Sequence, residues 1–109
     1  MLSNKDYCDK ETAFALQELG YYPYMFYDDG TPAIHLWYAQ KWLREEKNIV
    51  VRIIPLYEEG KAIKGMSYTN EVIHWDDGYV AEECTEEYDS YEESLSEGIK
   101  EAIKHIEII

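Results

Sequence analysis

The chain has few basic residues for its size. Its 109 residues include 10 lysines and arginines against 23 acidic residues, which gives a formal net charge of −13. A negative field of this strength repels phosphate backbones and anionic membrane surfaces, so direct nucleic-acid binding and membrane binding are disfavoured. The same charge favours solubility and a basic partner.

Cysteine and long apolar runs are also scarce. The two cysteines, Cys8 and Cys84, have no C-x-x-C spacing and no paired histidines nearby, so we expect two reduced thiols. A disulfide between them is the alternative. No apolar stretch approaches the ~20 residues that span a bilayer, and the first residues form no signal-peptide pattern. These absences predict a cytoplasmic protein.

The length and the apolar content predict one folded domain. A chain of 109 residues has the usual size of a single domain, and 46% of the residues are hydrophobic. No linker, repeat or low-complexity segment divides the sequence, so we predict a single domain over residues 1–109. Aromatic residues make up 15% of the chain, and 11 of them are tyrosine, which suits half-buried sheet faces.

Three segments have helical periodicity. The first runs from Lys10 to Leu19, with Asp9 as its N-cap. The second runs from Leu36 to Lys47 and ends at Asn48. The third is opened by the capping box Ser90-Tyr91-Glu92-Glu93, and its apolar spacing continues to the chain end. Helices therefore flank the remaining segments of the sequence.

The segments between the helices have the composition of strands. Tyr22 to Tyr27 is aromatic and precedes a turn, whereas Pro32 favours a connection over Thr31 to Ile34. After the second helix, three β-rich segments separated by turn residues predict an antiparallel meander over 49–54, 66–75 and 79–85. The predicted class is α+β in the order α-β-α-β-β-β-α, with a mainly antiparallel sheet of about four strands. We expect the helices on one face of that sheet, because this buries all three apolar stripes.

An acidic run is the most unusual feature of the sequence. From Gly65 to Ile99 there are 11 acidic residues and no lysine or arginine. The dense part of the run extends from Glu82 to Glu97 and also includes Asp89, Glu92 and Glu93. Four of its residues form a candidate acidic surface: Glu82, Glu83, Glu86 and Glu87. Such a surface would mimic DNA and occupy the groove of a nucleic-acid-binding protein. A solvated loop followed by an acidic first helical turn is the alternative interpretation.

No motif in the sequence indicates catalysis, a metal or a cofactor. Asp28-Asp29-Gly30 and Asp76-Asp77-Gly78 lack the spacing of a calcium loop and are explained as turns. The three histidines, His35, His74 and His105, form no metal-ligand motif. His74 is a candidate general base, but no nucleophile in a recognisable elbow accompanies it. We therefore assign no catalytic, cofactor-binding or metal-binding residue.

Surplus aromatic residues form the remaining candidate surface. They concentrate in two segments of the sequence, 21–27 and 37–42. Trp37 and Tyr38 point about 100° apart on a helix, so one apolar stripe cannot bury both rings. We predict an interface for another protein at Tyr24, Trp37 and Tyr38, because exposed aromatic rings concentrate at interfaces. Burial of these rings under neighbouring loops is the alternative.

Several segments resemble a known family. Ala39 to Ile49 resembles the central helix of a family of small uncharacterised proteins encoded by phages, prophages and conjugative elements of Bacteroides-type gut bacteria. Tyr88 to Leu95 followed by Gly98 to Ile103 is similar to the last helix of that family, and Tyr7 to Gly20 is similar to the first. The family usually opens its middle helix with a Pro-Thr pair, where this chain has Ile34-His35. The resemblance implies the same order of elements and a mobile-element origin, and it implies no activity.

These features favour a small non-enzymatic accessory protein of a mobile element that binds another protein and needs no cofactor. A homodimer is an alternative form of that binding. Two hypotheses from other classes stay open. One is an acidic DNA mimic that inhibits a nucleic-acid-binding protein, and the other is a small enzyme with an unrecognised site near His74.

Overall fold

The computed structural model describes residues 4–23, 25–56, 67–76, 78–83 and 86–108. This part of the chain forms an α+β fold of three α-helices and five strands, with one 3₁₀-turn before the first helix. The helices are α1 (Lys10–Glu18), α2 (Leu36–Lys47) and α3 (Tyr91–Ile108). The strands are β1 (Met25–Phe26), β2 (Pro32–Ala33), β3 (Ile49–Leu56), β4 (Ser67–Asp76) and β5 (Gly78–Glu83). No helix in the described ranges is long and apolar enough to cross a membrane.

Local capping signals set the helix ends and confirm the three predicted helices. Asp9 Oδ1 accepts a hydrogen bond from the Thr12 N–H at 2.8 Å, which satisfies a free donor at the start of α1. Ser90 Oγ accepts one from the Glu93 N–H at 3.1 Å at the start of α3. Asn48 ends α2 in the left-handed conformation with a φ of 55°, which asparagine tolerates better than most residues.

The strands form two separate antiparallel sheets in the described residues, which corrects the prediction of one sheet of about four strands. The order β3-β4-β5 is the predicted meander, and β1 and β2 form a hairpin of their own. The segment from Thr31 to Ile34, predicted as a connection, contains β2, whose Pro32 pairs with Phe26. Pro32 is accommodated because it is the first residue of a two-residue strand. The described residues thus contain one strand more than predicted, in the order α-β-β-α-β-β-β-α.

All three helices contribute to one buried cluster with the three-stranded sheet. Leu16 of α1, Leu43 of α2 and Ile99 of α3 are fully enclosed in it. Val51 and Val72 lie directly opposite each other on β3 and β4 and supply the sheet side of the cluster. The apolar stripes predicted from helical spacing are therefore the faces that pack together.

Helix α3 lies close to the sheet at Gly98. A Cβ atom added at Gly98 would lie 2.5 Å from Val51 Cγ1 and 3.3 Å from Asn70 Cγ. Asn70 is itself buried, and its Nδ2 donates a hydrogen bond to the backbone oxygen of Ser94 at 3.1 Å. Gly98 lets the helix backbone come close to β3 and β4, and Asn70 ties β4 to that helix.

An ion pair joins the start of α1 to α3. Lys100 Nζ lies 2.8 Å from Asp9 Oδ2 and 3.3 Å from Glu97 Oε1. Partial burial acts to raise the pKa of Asp9, but hydrogen bonds from Lys100 and Thr12 outweigh it and hold the pKa below its ordinary value. The side chains of Asp9 and Lys100 are 47% and 36% exposed, so water screens the pair and its contribution stays within about 1 kcal/mol.

Cys8 is a free thiol inside the core, and the second cysteine, Cys84, lies outside the described residues. Burial, with a smaller effect of the neighbouring Asp9 carboxylate, raises the pKa of the Cys8 thiol to about 12. Because the thiolate is the reactive form, a thiol with this pKa is inert near neutral pH.

We therefore expect Cys8 to resist alkylation in the folded protein. In a Cys84→Ser variant, iodoacetamide at mildly alkaline pH should leave the native chain unmodified and should modify it fully in guanidinium. Mass spectrometry of the intact chain measures both reactions. Alkylation in the native state as fast as in guanidinium would contradict the burial of this thiol.

Candidate binding cleft

Aromatic side chains from three parts of the chain surround a cleft of about 410 Å³, which we call the aromatic cleft. It lies between the segment before α1, the β1–β2 hairpin and the start of α2. Its lining consists of Tyr7, Tyr21, Met25, Ala33, His35, Trp37 and Tyr38. Among the residues that the structure describes, no aspartate, glutamate, lysine or arginine belongs to this lining, so the described lining offers ring faces and apolar surface.

The hairpin that forms one wall is closed by turn chemistry. The Tyr27 N–H donates to the Thr31 oxygen at 2.8 Å, and Gly30 takes a φ of +87° that glycine adopts without strain. Asp29 Oδ1 accepts a hydrogen bond from the Thr31 N–H at 2.9 Å. Hydrogen bonds from the Thr31 side chain and from this N–H hold the pKa of Asp29 below its ordinary value. These contacts confirm the predicted turn at Asp28-Asp29-Gly30.

Backbone pairing brings the segment before α1 beside the start of α2. Tyr7 and His35 form an isolated antiparallel bridge. The Cys8 N–H donates to the Ile34 oxygen at 2.8 Å in the same arrangement. The Tyr7 ring is thereby placed against residues that are distant from it in the sequence.

His35 lies at the centre of the aromatic cleft and caps α2. Its Nδ1 accepts a hydrogen bond from the Trp37 N–H at 3.2 Å, so the imidazole takes the role that a serine or threonine often has. Its ring centroid lies 5.5 Å from that of Tyr7 and 5.6 Å from those of Trp37 and Tyr38. Aromatic pairs are favourable at such distances in edge-to-face and tilted arrangements. His35 therefore packs against the rings of Trp37 and Tyr38, two residues of the predicted interface.

Trp37 and Tyr38 stay exposed because the helix buries their neighbours. Leu36 and Ala39 occupy the core face of α2, which turns the two aromatic residues towards solvent. Trp37 is 63% exposed and Tyr38 is 62% exposed. Two of the three residues of the predicted interface, Trp37 and Tyr38, thus line one cleft, and the third, Tyr24, lies outside the described residues.

A second cleft of about 500 Å³ adjoins the first. The two clefts share Tyr21 and Tyr38 as lining residues. The rest of the second lining is Gly20, Tyr22, Lys41, Trp42 and Glu45. Lys47 Nζ lies 5.4 Å from the centroid of the Trp42 ring. The aromatic surface is therefore continuous across both clefts.

Sequence reasoning misses Tyr7, Met25 and His35 as cleft residues. In the sequence, Tyr7 is notable only as the start of the segment that resembles the first helix of the family. Met25 lies in the hairpin, whose second strand the sequence does not predict. The aromatic character of the 21–27 segment was the signal available for Met25. The partners of Tyr7 depend on its bridge to His35, which no local pattern reveals.

The structure describes the side chains of two of the four residues of the candidate acidic surface. Glu86 and Glu87 are exposed, and the Tyr88 hydroxyl donates to Glu86 Oε2 at 3.3 Å. The side chains of Glu82 and Glu83 lie outside the described part of the structure. The two described carboxylates are thus at the surface, as both interpretations of the acidic run require.

His74, the candidate general base, lies against α3. Its ring centroid is 4.8 Å from that of His105. His74 lines neither the aromatic cleft nor the adjoining one. In the described ranges, no three histidine, cysteine, aspartate or glutamate side chains lie together so that they could hold a metal ion.

Comparison with known proteins gives no match to any family model, curated protein or solved structure. A functional assignment rests on sites more than on folds, since one fold can carry many functions. The aromatic cleft is taken as the candidate site because the exposed rings of Trp37 and Tyr38 line it.

Proposed function

We propose that this chain is a non-enzymatic protein that binds another protein through the aromatic cleft. The observation that supports this function is the exposure of large apolar side chains around one concavity. Trp37 and Tyr38 on α2 are 63% and 62% exposed, and Met25 on the hairpin is 63% exposed. Contiguous exposed apolar patches mark interaction sites, and tryptophan and tyrosine supply much of the binding energy at interfaces.

The proposed context is the cytoplasm of a bacterium that carries a mobile element. The resemblance of the helical segments to proteins of phages and conjugative elements supports an accessory role there. The net charge of −13 supports a protein partner over a nucleic acid, because phosphates would be repelled. A second copy of the chain is the alternative partner, and sedimentation of the purified protein at several concentrations tests it.

Trp37→Ala is expected to weaken partner binding and to leave folding intact. Because the ring is mostly exposed in the free chain, its loss removes little core packing, whereas truncating an interface anchor costs about 2 kcal/mol or more. The tagged chain and its variant are used to capture proteins from a nuclease-treated lysate of a Bacteroides-type bacterium. The captured partner is then purified, and calorimetry measures its affinity for both chains.

Phe14→Ala is the matched control for this experiment. Phe14 is an aromatic residue of α1 that is 39% exposed and lines neither cleft. The control should bind the purified partner as the wild type does, and thermal unfolding of the Trp37→Ala chain should resemble that of the wild type. Equal affinity of the partner for Trp37→Ala and the wild type would refute the proposed function, as would unfolding of the Trp37→Ala chain.

The salt dependence of capture separates this function from DNA mimicry. A partner held by the aromatic cleft should survive high salt, because apolar contacts are not screened. A DNA mimic would release its target at high salt and on changing the candidate acidic surface to glutamine, with no effect of Trp37→Ala. That combination of results would replace the proposed function by the acidic mimic.

A further inference from the structure

We propose that the segment of the partner that enters the aromatic cleft carries an arginine whose guanidinium stacks on Trp37 and Tyr38. The proposal rests on the function proposed above and names the chemistry of its ligand. The lining of the cleft, the charge around it and a cation already held by α2 each support it.

The lining favours a planar cation. The rings of Tyr7, His35, Trp37 and Tyr38 present π faces and edges, and the described part of the lining includes no carboxylate that would form a salt bridge. A guanidinium is flat and weakly hydrated, so it stacks on such faces with little loss of hydration. A lysine ammonium is compact and strongly hydrated, and it gains more from a carboxylate than from a ring.

The charge around the cleft favours a basic segment over a neutral apolar one. The described lining of the aromatic cleft carries no lysine or arginine. In the adjoining cleft, Lys41 and Glu45 lie 4.0 Å apart, so their charges offset each other. With a net charge of −13 on the whole chain, a basic segment is drawn to the cleft and a neutral one is not.

Helix α2 already holds one cation on an indole. Lys47 Nζ lies 5.4 Å from the ring centroid of Trp42, which faces the adjoining cleft. Trp37 lies on the same helix and is 63% exposed, and in the described ranges no lysine or arginine lies over its ring. The Trp37 ring is therefore open to a cation that the partner supplies.

A library of random short peptides displayed on their own messenger RNA tests the proposal without a known partner. Peptides that bind the full chain are kept, and those that also bind the Trp37→Ala chain are discarded, because their binding does not depend on the Trp37 ring. We expect arginine to be enriched at one position of the remaining peptides. Dependence on Trp37 without enrichment of arginine would overturn the arginine assignment and leave the cleft as a docking site.

Two further variants separate stacking from plain apolar contact. Trp37→Phe keeps a π face and should retain the selected peptide, whereas Trp37→Leu keeps apolar bulk and should weaken it about 2- to 30-fold, the range of a cation–π contact. Replacing the peptide arginine by lysine or by neutral citrulline should also weaken binding, and Phe14→Ala should not. Equal affinity for Trp37→Phe and Trp37→Leu, or a citrulline peptide as strong as the arginine one, would overturn the stacking.

Failure of this inference differs from failure of the proposed function. If the library yields no peptide that depends on Trp37, the arginine assignment falls. If the captured partner still discriminates between wild type and Trp37→Ala, the cleft remains a protein-binding site for another chemistry. If the partner also fails to discriminate, the proposed function falls with it.

Discussion

Gly98→Ala is expected to lower the free energy of unfolding by about 2 kcal/mol, although alanine favours a helix over glycine by about 1 kcal/mol. The added Cβ would lie 2.5 Å from Val51 Cγ1, a distance that side chains do not tolerate. Val51 is 2% exposed and has a single side-chain torsion, so it cannot turn away into free space. The overpacking therefore outweighs the gain in helix propensity, and the usual sign of a Gly→Ala change in a helix is reversed.

Urea unfolding measures this effect, and a double variant tests its cause. Val51→Ala removes the atom that the new Cβ would meet, so Val51→Ala with Gly98→Ala should be more stable than the sum of the single changes predicts. Lys104→Ala on the exposed side of α3 is the control and should change stability by less than about 0.5 kcal/mol. A Gly98→Ala chain as stable as the wild type would show that α3 does not approach the sheet this closely.

The helices could be predicted because their signals are local. Asp9, Asn48 and Ser90 mark helix ends through contacts with residues a few positions away, and those contacts are present in the structure. The β3–β4–β5 meander could be predicted for the same reason, because consecutive β-rich segments joined by short turns pair with their neighbours. Both depend on information within one stretch of sequence.

The remainder of the fold depends on contacts that the sequence does not encode locally. Pro32 disfavours a strand by its chemistry, yet the hairpin register places it where the missing N–H costs nothing. In the sequence, a glycine inside a helical segment indicates only a less stable helix. That glycine is needed at position 98 follows from the side chains of Val51 and Asn70, which leave no space for a Cβ atom. The separation into two sheets likewise depends on tertiary packing.

Two residues of the aromatic cleft could be predicted from the sequence, whereas the cleft itself could not. Helical geometry alone shows that Trp37 and Tyr38 cannot both be buried, and their exposure supports that argument. The depth and composition of the cleft depend on Tyr7 and His35, which are brought together by a single bridge between distant segments. The sequence therefore indicates that the rings of Trp37 and Tyr38 are exposed, whereas the cleft that they line follows only from the fold.

Asn70→Asp is expected to cost about 3 kcal/mol or more at neutral pH, although the two side chains have nearly the same shape. Asn70 is 3% exposed, and its Nδ2 donates to the Ser94 oxygen at 3.1 Å. An aspartate would set a negative oxygen against that carbonyl oxygen, so the hydrogen bond becomes a repulsion inside the core. The closeness of Gly98 to Asn70 Cγ leaves little room for a water to intervene.

The cost should depend on pH with a definite sign. Burial raises the folded-state pKa of the introduced aspartate above its unfolded value of about 3.9, so the penalty is absent below that value, where the carboxyl is protonated in both states. A protonated carboxyl can also donate to the Ser94 oxygen in place of the amide. As pH rises through the folded-state pKa the penalty grows, and beyond it the penalty stays constant. Urea unfolding of wild type and variant across acidic and neutral pH measures the difference, with Gln17→Glu on the exposed side of α1 as the control for added charge. A difference that does not change with pH would mean that residue 70 is hydrated, and the tie between β4 and α3 would lose its support.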